Sequence, residues 1–532
     1  MKSPRKILDS GTATLGIELG STNIKAVLVG PDFITLASGS HTWENEFRTR
    51  LWTYPLDAVW TGIQSAVANL LTEAEALFGV KPTEFAGIGI SAMMHGYLPF
   101  DKNGELLVPF RTWRNTNTGT AAKELTEVLN FNFPLRWSAS HLYQAILDEE
   151  PHLDQLHHIT TLAGYVHWKL TGQNVIGVGD ASGMFPINLA TGDYDAEKEC
   201  RFNALATKHG FNKPIETILP RILPAGAIAG ELTEEGAKLL NPTGVIKPGI
   251  PFCPPEGDAG TGMVATNAVS PRTGNISAGT SIFAMIVLER ALNSVHADID
   301  IVATPAGDPV AMVHCNNGAS ELGVWAAIFH EFAERIGSKA GLNDVFAAIL
   351  GAAVDGEKDG GGVLAYNYLA GETITDLDEG RPAIIRTPSS RLNLSNFART
   401  QLYSIFATLS LGTRTLAEEG VELDKLMAHG GLFRTPGVAQ QILAAFVDTP
   451  VSIATTASEG GAWGIAVLAA YSAAVRNGET LSLGEWLDAR VFANTKYFIA
   501  EPDLADVKGA KEYLKLYQTG LSIEQAAIAA IH

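Results

Sequence analysis

Two short runs of strand-like residues near the start of the chain, Leu15–Leu19 and Ile24–Val29, are joined by the small polar turn Gly20-Ser21-Thr22-Asn23, with further strand-like residues at Phe33–Ala37. This pattern predicts a β-meander opening a domain. The arrangement recurs at 274–287, where Gly279-Thr280-Ser281 separates two apolar strands, and Gly20 and Gly279 stand 259 residues apart, about half the chain. Two such turns at that separation predict two related halves facing one another. Between them, Leu56–Phe78 has helical periodicity, Glu84–Ile90 reads as a buried strand, and Thr160–Lys169 reads as a helix before a Thr171-Gly172 stop. The second half resumes the alternation with a helix over Asn396–Glu418 and a strand at Leu426–Ala428 ending in His429-Gly430-Gly431. Thr435-Pro436 reads as an N-cap with proline at the first helical position. Val451–Ala454 then reads as a strand, and Glu459-Gly460-Gly461-Ala462-Trp463-Gly464 leads into an Ala-rich helix. Strand-glycine-helix units of this kind offer backbone N–H groups to a nucleotide. No low-complexity linker appears, so the boundary, near residues 262–273, follows from the repeat alone.

Composition fits a folded chain of two to four domains: 532 residues, 46% hydrophobic and 18% charged. The net charge of −19, without a basic run, argues against nucleic acid and membrane partners. Cys200, Cys253 and Cys315 are too far apart for a disulfide framework or a metal knuckle, which points to a reducing cytoplasm. The apolar run that a signal peptide needs is interrupted by Asp9, Ser10, Gly11 and Thr12, and the longest apolar stretch, Ala462–Val475, is too short to span a bilayer.

The candidate chemistry lies at strand ends. Gly20-Ser21-Thr22 and Gly279-Thr280-Ser281 let backbone approach a phosphate and donate N–H and hydroxyl groups to it without a basic residue. As a pair they could clamp one polyphosphate; singly each is also an ordinary hairpin. Asp258, within Pro254-Pro255-Glu256-Gly257-Asp258-Ala259-Gly260, is a carboxylate enclosed by glycines. It could orient an acceptor hydroxyl and take its proton, or it could belong to a simple turn. Met94-His95-Gly96 ends a strand and suits a polar ligand, though a lone histidine is also a common structural residue. Arg111-Thr112-Trp113-Arg114-Asn115 joins an aromatic face to hydrogen-bonding groups, as a polyhydroxylated ligand requires and as a solvated turn with one core tryptophan would also show. His157-His158 lacks metal-ligand spacing.

In this order the motifs resemble the FGGY family of carbohydrate kinases over nearly the whole chain. Glu18-Leu19-Gly20-Ser21-Thr22 is similar to its first phosphate motif, Met94-His95-Gly96 to its sugar-binding segment, and Gly257-Asp258 to its catalytic pair. Ser277–Ser281 is similar to its second phosphate motif; His429-Gly430-Gly431 and Glu459–Gly464 are similar to its adenosine-binding segments. The resemblance implies an α/β fold of two actin-like, ribonuclease-H-like domains around a central cleft. The first, 12–268, would bind sugar and carry the first phosphate motif; the second, 269–532, would carry the second motif and the adenosine site. It further implies ATP as phosphoryl donor with Mg²⁺. Asp258 would be the general base, and Met94, His95, Trp113, Arg114 and Asp258 would contact the sugar. Gly20, Ser21, Thr22, Gly279, Thr280, Ser281, Gly430, Gly431, Gly460 and Gly461 would contact ATP. Asp258 and Glu18 would hold the metal, Glu18 through water, because it stands where the family usually has Asp.

Other departures bear on the substrate. Ala259 replaces the Asn that ketose kinases commonly carry, and Arg114 after Trp113 is the pattern of L-ribulokinases, whereas Asp180-Ala181-Ser182-Gly183 is similar to a xylulokinase segment. The expectation is therefore a cytoplasmic kinase acting on a terminal hydroxyl of D-xylulose or L-ribulose. Another polyol or sugar acid, an actin-like or chaperone-like ATPase, and a catalytically silent sugar sensor stay open, as does a homodimer.

Overall fold

The computed structural model describes residues 3–433, 437–454 and 460–531. The elements that matter here are, in chain order, β1 (Thr14–Leu19), β2 (Asn23–Val29), β3 (Thr35–Thr42), α1 (Leu56–Phe78), β4 (Gly87–Ala92), α2 (Leu162–Thr171), β5 (Glu256–Gly257) and α3 (Asp258–Ala265). They continue with β6 (Thr273–Ala278), β7 (Ile282–Val287), α4 (Leu394–Glu418), β8 (Lys425–His429), α5 (Val438–Val447), β9 (Val451–Ala454), α6 (Gly461–Arg476), β10 (Tyr497–Ala500) and α7 (Leu504–Ala530). The predicted Thr435-Pro436 cap and Glu459 lie outside the described residues.

Two compact units result. One comprises Met1–Ser270, Asp300–Val310 and Ser458–Asn494; the other comprises Pro271–Ile299, Ala311–Ala457 and Thr495–His532. The first unit is built on a five-stranded sheet in the order β5-β4-β1-β2-β3. β1 is antiparallel to β2 and parallel to β4, so the sheet combines a meander with crossover connections. α1 lies over β2 and β3, burying Val59, Ile63, Ala66, Val67, Leu70, Leu71 and Ala74 along one stripe. It stops at Gly79, whose φ of 69° supplies the left-handed cap. α6 packs on β1, β4 and α3, and it approaches so closely that a Cβ on Gly16 would overlap the Ala462 carbonyl.

In the second unit β7, β6, β8, β9 and β10 are successive neighbours in a seven-stranded sheet. β6 is antiparallel to β7 and parallel to β8, repeating the pairing of β1 with β2 and β4. The turns differ by one residue: Leu19 pairs with Ile24, whereas Ala278 pairs with Ile282.

Some boundaries differ from expectation for local reasons. The strand expected from Glu84 starts at Gly87. α2 starts at Leu162 because the Thr161 hydroxyl accepts from the Gly164 N–H at 3.1 Å, and α4 starts at Leu394 because Asn393 caps the Asn396 N–H at 2.8 Å. Among the described residues no helix is long and apolar enough to cross a membrane.

Candidate active site

The Gly20 turn is held from behind by its carbonyls. Trp43 donates its indole N–H to Gly20 O at 2.7 Å and its backbone N–H to Thr22 O at 3.0 Å, while the Tyr54 hydroxyl donates to Ser21 O at 2.7 Å. In a trans peptide the following N–H points opposite to the carbonyl. The amides of Ser21, Thr22 and Asn23 are thereby turned away from these aromatic groups, and Ser21 and Thr22 are exposed. Such consecutive amides suit an anion.

Asp258 is the first residue of α3 and not part of a simple turn, the alternative that its glycine-rich surroundings left open. The small residues after it that resemble turn chemistry let α3 meet α6: a Cβ on Gly464 would strike the Thr261 carbonyl. Asp258 is half-buried, and Oδ1 accepts the Met94 N–H at 3.1 Å. Burial raises its pKa, against the lowering effect of the Met94, Ala259 and Asp258 amides.

Glu18 sits at the end of β1, and Oε2 accepts the Ala462 N–H at 3.1 Å in the first turn of α6. Burial, then the charge of Asp258, pushes its carboxyl up to about 7. Two further acids lie behind. Asp180 accepts from the Thr161 hydroxyl at 2.6 Å, and burial followed by Asp258 raises it to about 7. Glu256 accepts from the Gly179 and Asp180 amides at 3.3 and 2.9 Å, and burial followed by Asp180 raises it to about 8. Sequence reasoning did not single out Glu256. The available signal was its two-residue spacing from Asp258 along an extended segment.

Met94 and His95 are both buried, and the Met94 amide meets Asp258. His95 adopts φ 73°, uncommon for a residue with a Cβ, and its Nδ1 lies 3.3 Å from Gly183 O. A carbonyl only accepts, so Nδ1 carries the proton and Nε2 is the acceptor of the neutral ring. Burial, then the Arg136 charge, keeps its pKa well below the usual histidine value. Arg136 itself is paired with Asp300.

The Trp113-Arg114 pair does not form one surface. Trp113 is 38% exposed, while the Arg114 guanidinium lies 3.9 Å from the ring centre of Trp52 and donates to Asn45 Oδ1 at 3.2 Å. Asn115 exchanges hydrogen bonds with the backbone of Trp52, at 2.9 and 2.8 Å, and so fixes that ring's strand. Trp52 is the aromatic partner that the sequence reading missed, because nothing local joins positions 52 and 114.

The first unit thus gathers Glu18, Gly461, Asp258, Met94 and His95: the Glu18 Oε1 would be only 2.5 Å from a Cβ on Gly461. Gly20, Ser21, Thr22, Trp113, Arg114 and Gly460 belong to the same unit. Gly279, Thr280, Ser281, Gly430 and Gly431 belong to the second. There the Gly279 N–H donates to Ser281 O at 3.0 Å, Gly279 and Thr280 are exposed, and a Cβ on Gly430 would collide with the Ala278 carbonyl.

The family pattern "FGGY family of carbohydrate kinases, N-terminal domain" matches residues 13–264, and its C-terminal counterpart matches residues 274–473. The chain belongs to the FGGY family of carbohydrate kinases. It is an ATP-dependent sugar kinase with the two-domain, actin-like fold of that family. Xylulose kinase of Haemophilus influenzae is 23% identical over 531 residues, covering 97% of this chain and 99% of that protein. Among solved structures, xylulose kinase of Rhodospirillum rubrum superposes with a TM-score of 0.77 at 19% identity, over 96% of this chain and 99% of that one. Gluconate kinase of Lactobacillus acidophilus does so with 0.75 at 17% identity, over 97% and 98%. The FGGY fold therefore carries enzymes named for different substrates.

Proposed function

We propose that this FGGY kinase transfers the γ-phosphoryl group of ATP to a terminal hydroxyl of a ketopentose, D-xylulose or L-ribulose, with Asp258 as general base. The observation that carries the reading is the hydrogen bond from Met94 N–H to Asp258, which ties one carboxylate oxygen to the backbone of the segment that resembles the sugar-binding motif. A carboxylate with a raised pKa is a better proton acceptor than an ordinary aspartate. His95 Nε2 would accept from a sugar hydroxyl, and Trp113 and Arg114 would meet the rest of the sugar. The amides of the Gly20 turn would hold phosphate oxygens, and Gly279–Ser281, Gly430, Gly431, Gly460 and Gly461 would contact the remainder of ATP. Asp258 orients the attacking oxygen and takes its proton as the new O–P bond forms and the bond to ADP breaks.

Among the described residues no group of three or more His, Cys, Asp or Glu could cage a metal. Mg²⁺ needs no such cage, being commonly held by one or two carboxylates together with substrate phosphates. Glu18 and Asp258 fit that donor set: each is an acid whose charge is disfavoured as the protein stands, Glu18 partly by Asp258 itself. When bound, Mg²⁺ would neutralise charge on the phosphates. A cytoplasmic location goes with this reading, since ATP is the donor and the three cysteines are free thiols.

The test is ADP release by purified protein with D-xylulose, L-ribulose, glycerol, gluconate and L-rhamnulose. A ketopentose should give the highest kcat/KM. A preference for glycerol or gluconate would overturn the substrate assignment, and no sugar-dependent release would overturn catalysis by this site.

A further inference from the structure

We propose that the second unit contains a separate binding site for a small amphipathic anion, with an aliphatic or aromatic body and a single carboxylate-like head. A cavity of about 420 Å³ lies within this unit. Its floor is Ile276 of β6 with Ala284 and Ile286 of β7. Leu416 of α4, Phe446 of α5 and Leu514 of α7 form its walls. This cavity falls in the range of about 300–1,000 Å³ typical of small-molecule pockets.

The polar groups sort the ligand's two ends. Ser410, Thr413 and Thr449 donate their hydroxyl protons to backbone carbonyls at 3.1, 3.0 and 3.1 Å, so these wall hydroxyls offer the interior no proton. An apolar body belongs there. Arg414 and Lys511 are the lining cations, against the single lining carboxylate Asp448, which pairs with Lys511 at 2.9 Å. Arg414 is exposed, with its guanidinium 3.6 Å from Glu418 and in hydrogen-bond contact with the Gln518 side chain at 3.4 Å. On a chain of net charge −19, an excess of one cation over carboxylates among the lining residues favours an anionic head over an ammonium. The site is distinct from the phosphate turn: Ile276 precedes Gly279 by three residues of strand, about 10 Å.

Calorimetric titration of the full chain with sodium octanoate and with octylamine tests this. Octanoate should bind saturably with one site per chain and at least about ten times more tightly than octylamine. Ala417→Trp, at an exposed lining position, should reduce octanoate binding at least about tenfold with an unchanged melting temperature, and Lys511→Gln should weaken it several-fold. If Ala417→Trp lowers the melting temperature, Leu514→Trp makes the same obstruction from the opposite wall. Non-saturable uptake, equal affinity for octylamine, or full binding in a folded obstructed variant would overturn the proposal.

Discussion

The Glu18 carboxylate accepts a hydrogen bond from the backbone N–H of Ala462, 444 residues away in sequence. It thereby satisfies a donor in the first turn of α6, where negative charge is favoured. Position 461 must leave room for it: a Cβ there would lie 2.5 Å from Glu18 Oε1 and 2.8 Å from Thr261 Oγ1. Gly461→Ala is expected to destabilise the protein by about 1–3 kcal/mol, the usual cost of overpacking. In a Glu18→Ala background the same substitution should cost at least about 1 kcal/mol less. Denaturant unfolding of the four proteins measures the coupling; an equal cost in both backgrounds would show that the two residues do not compete for this space.

Asp258→Asn keeps the shape and one acceptor for the Met94 amide, so the fold should persist. Turnover with the best sugar should fall by about 10²–10⁴, the range for a general base. Steady-state rates, with thermal unfolding as the control for folding, check this. Near-full activity would remove Asp258 from proton transfer.

Arg114→Ala should leave stability within about 1 kcal/mol, because the group is exposed and its stacking on Trp52 is a surface interaction. If Arg114 meets the sugar, KM for the accepted sugar should rise roughly tenfold, equivalent to about 1.4 kcal/mol of binding. Initial-rate measurements over a sugar series decide, and an unchanged KM assigns Arg114 to fixing Trp52 alone.

His167 is fully buried in α2, its Nε2 2.9 Å from Ala229 O, and burial lowers its pKa to about 4. The unfolded chain, with a histidine pKa near 6.5, binds this proton first. The stability the neutral ring contributes is present above about pH 6.5 and is lost as pH falls through about 4. His141, lowered by burial to about 3, acts in the same direction. His167→Gln should reduce the slope of unfolding free energy against pH between 6 and 4.5 by up to about 1.4 kcal/mol per pH unit. Urea titrations at several pH values test it; identical slopes would exclude His167 as a contributor to acid sensitivity.

What the sequence made legible was local. α1 runs from Leu56 to Phe78 as its periodicity predicts, because its stripe of buried residues and the Gly79 cap are both written in consecutive positions. The strand pairs around Gly20 and Gly279 follow from alternation and turn chemistry. The start of α3 was harder, since Asp258-Ala259-Gly260-Thr261-Gly262 has weak helix formers and is helical through its packing on α6. Tertiary neighbours were not legible: Arg114 on Trp52, Asp180 beneath Glu256, Glu18 on Ala462. Each pairing depends on how distant segments meet, and the raised acidities of the carboxylates follow from the burial that meeting produces.

The place of α6 bears on how the chain is made. A nascent polypeptide leaves the ribosome from its N-terminus, and the helix that covers β1 and β4 emerges only after residue 460. Until then the first sheet presents an uncovered apolar surface, so the N-terminal half depends on sequestration during synthesis, and a fragment ending near residue 270 is a poor choice for separate expression.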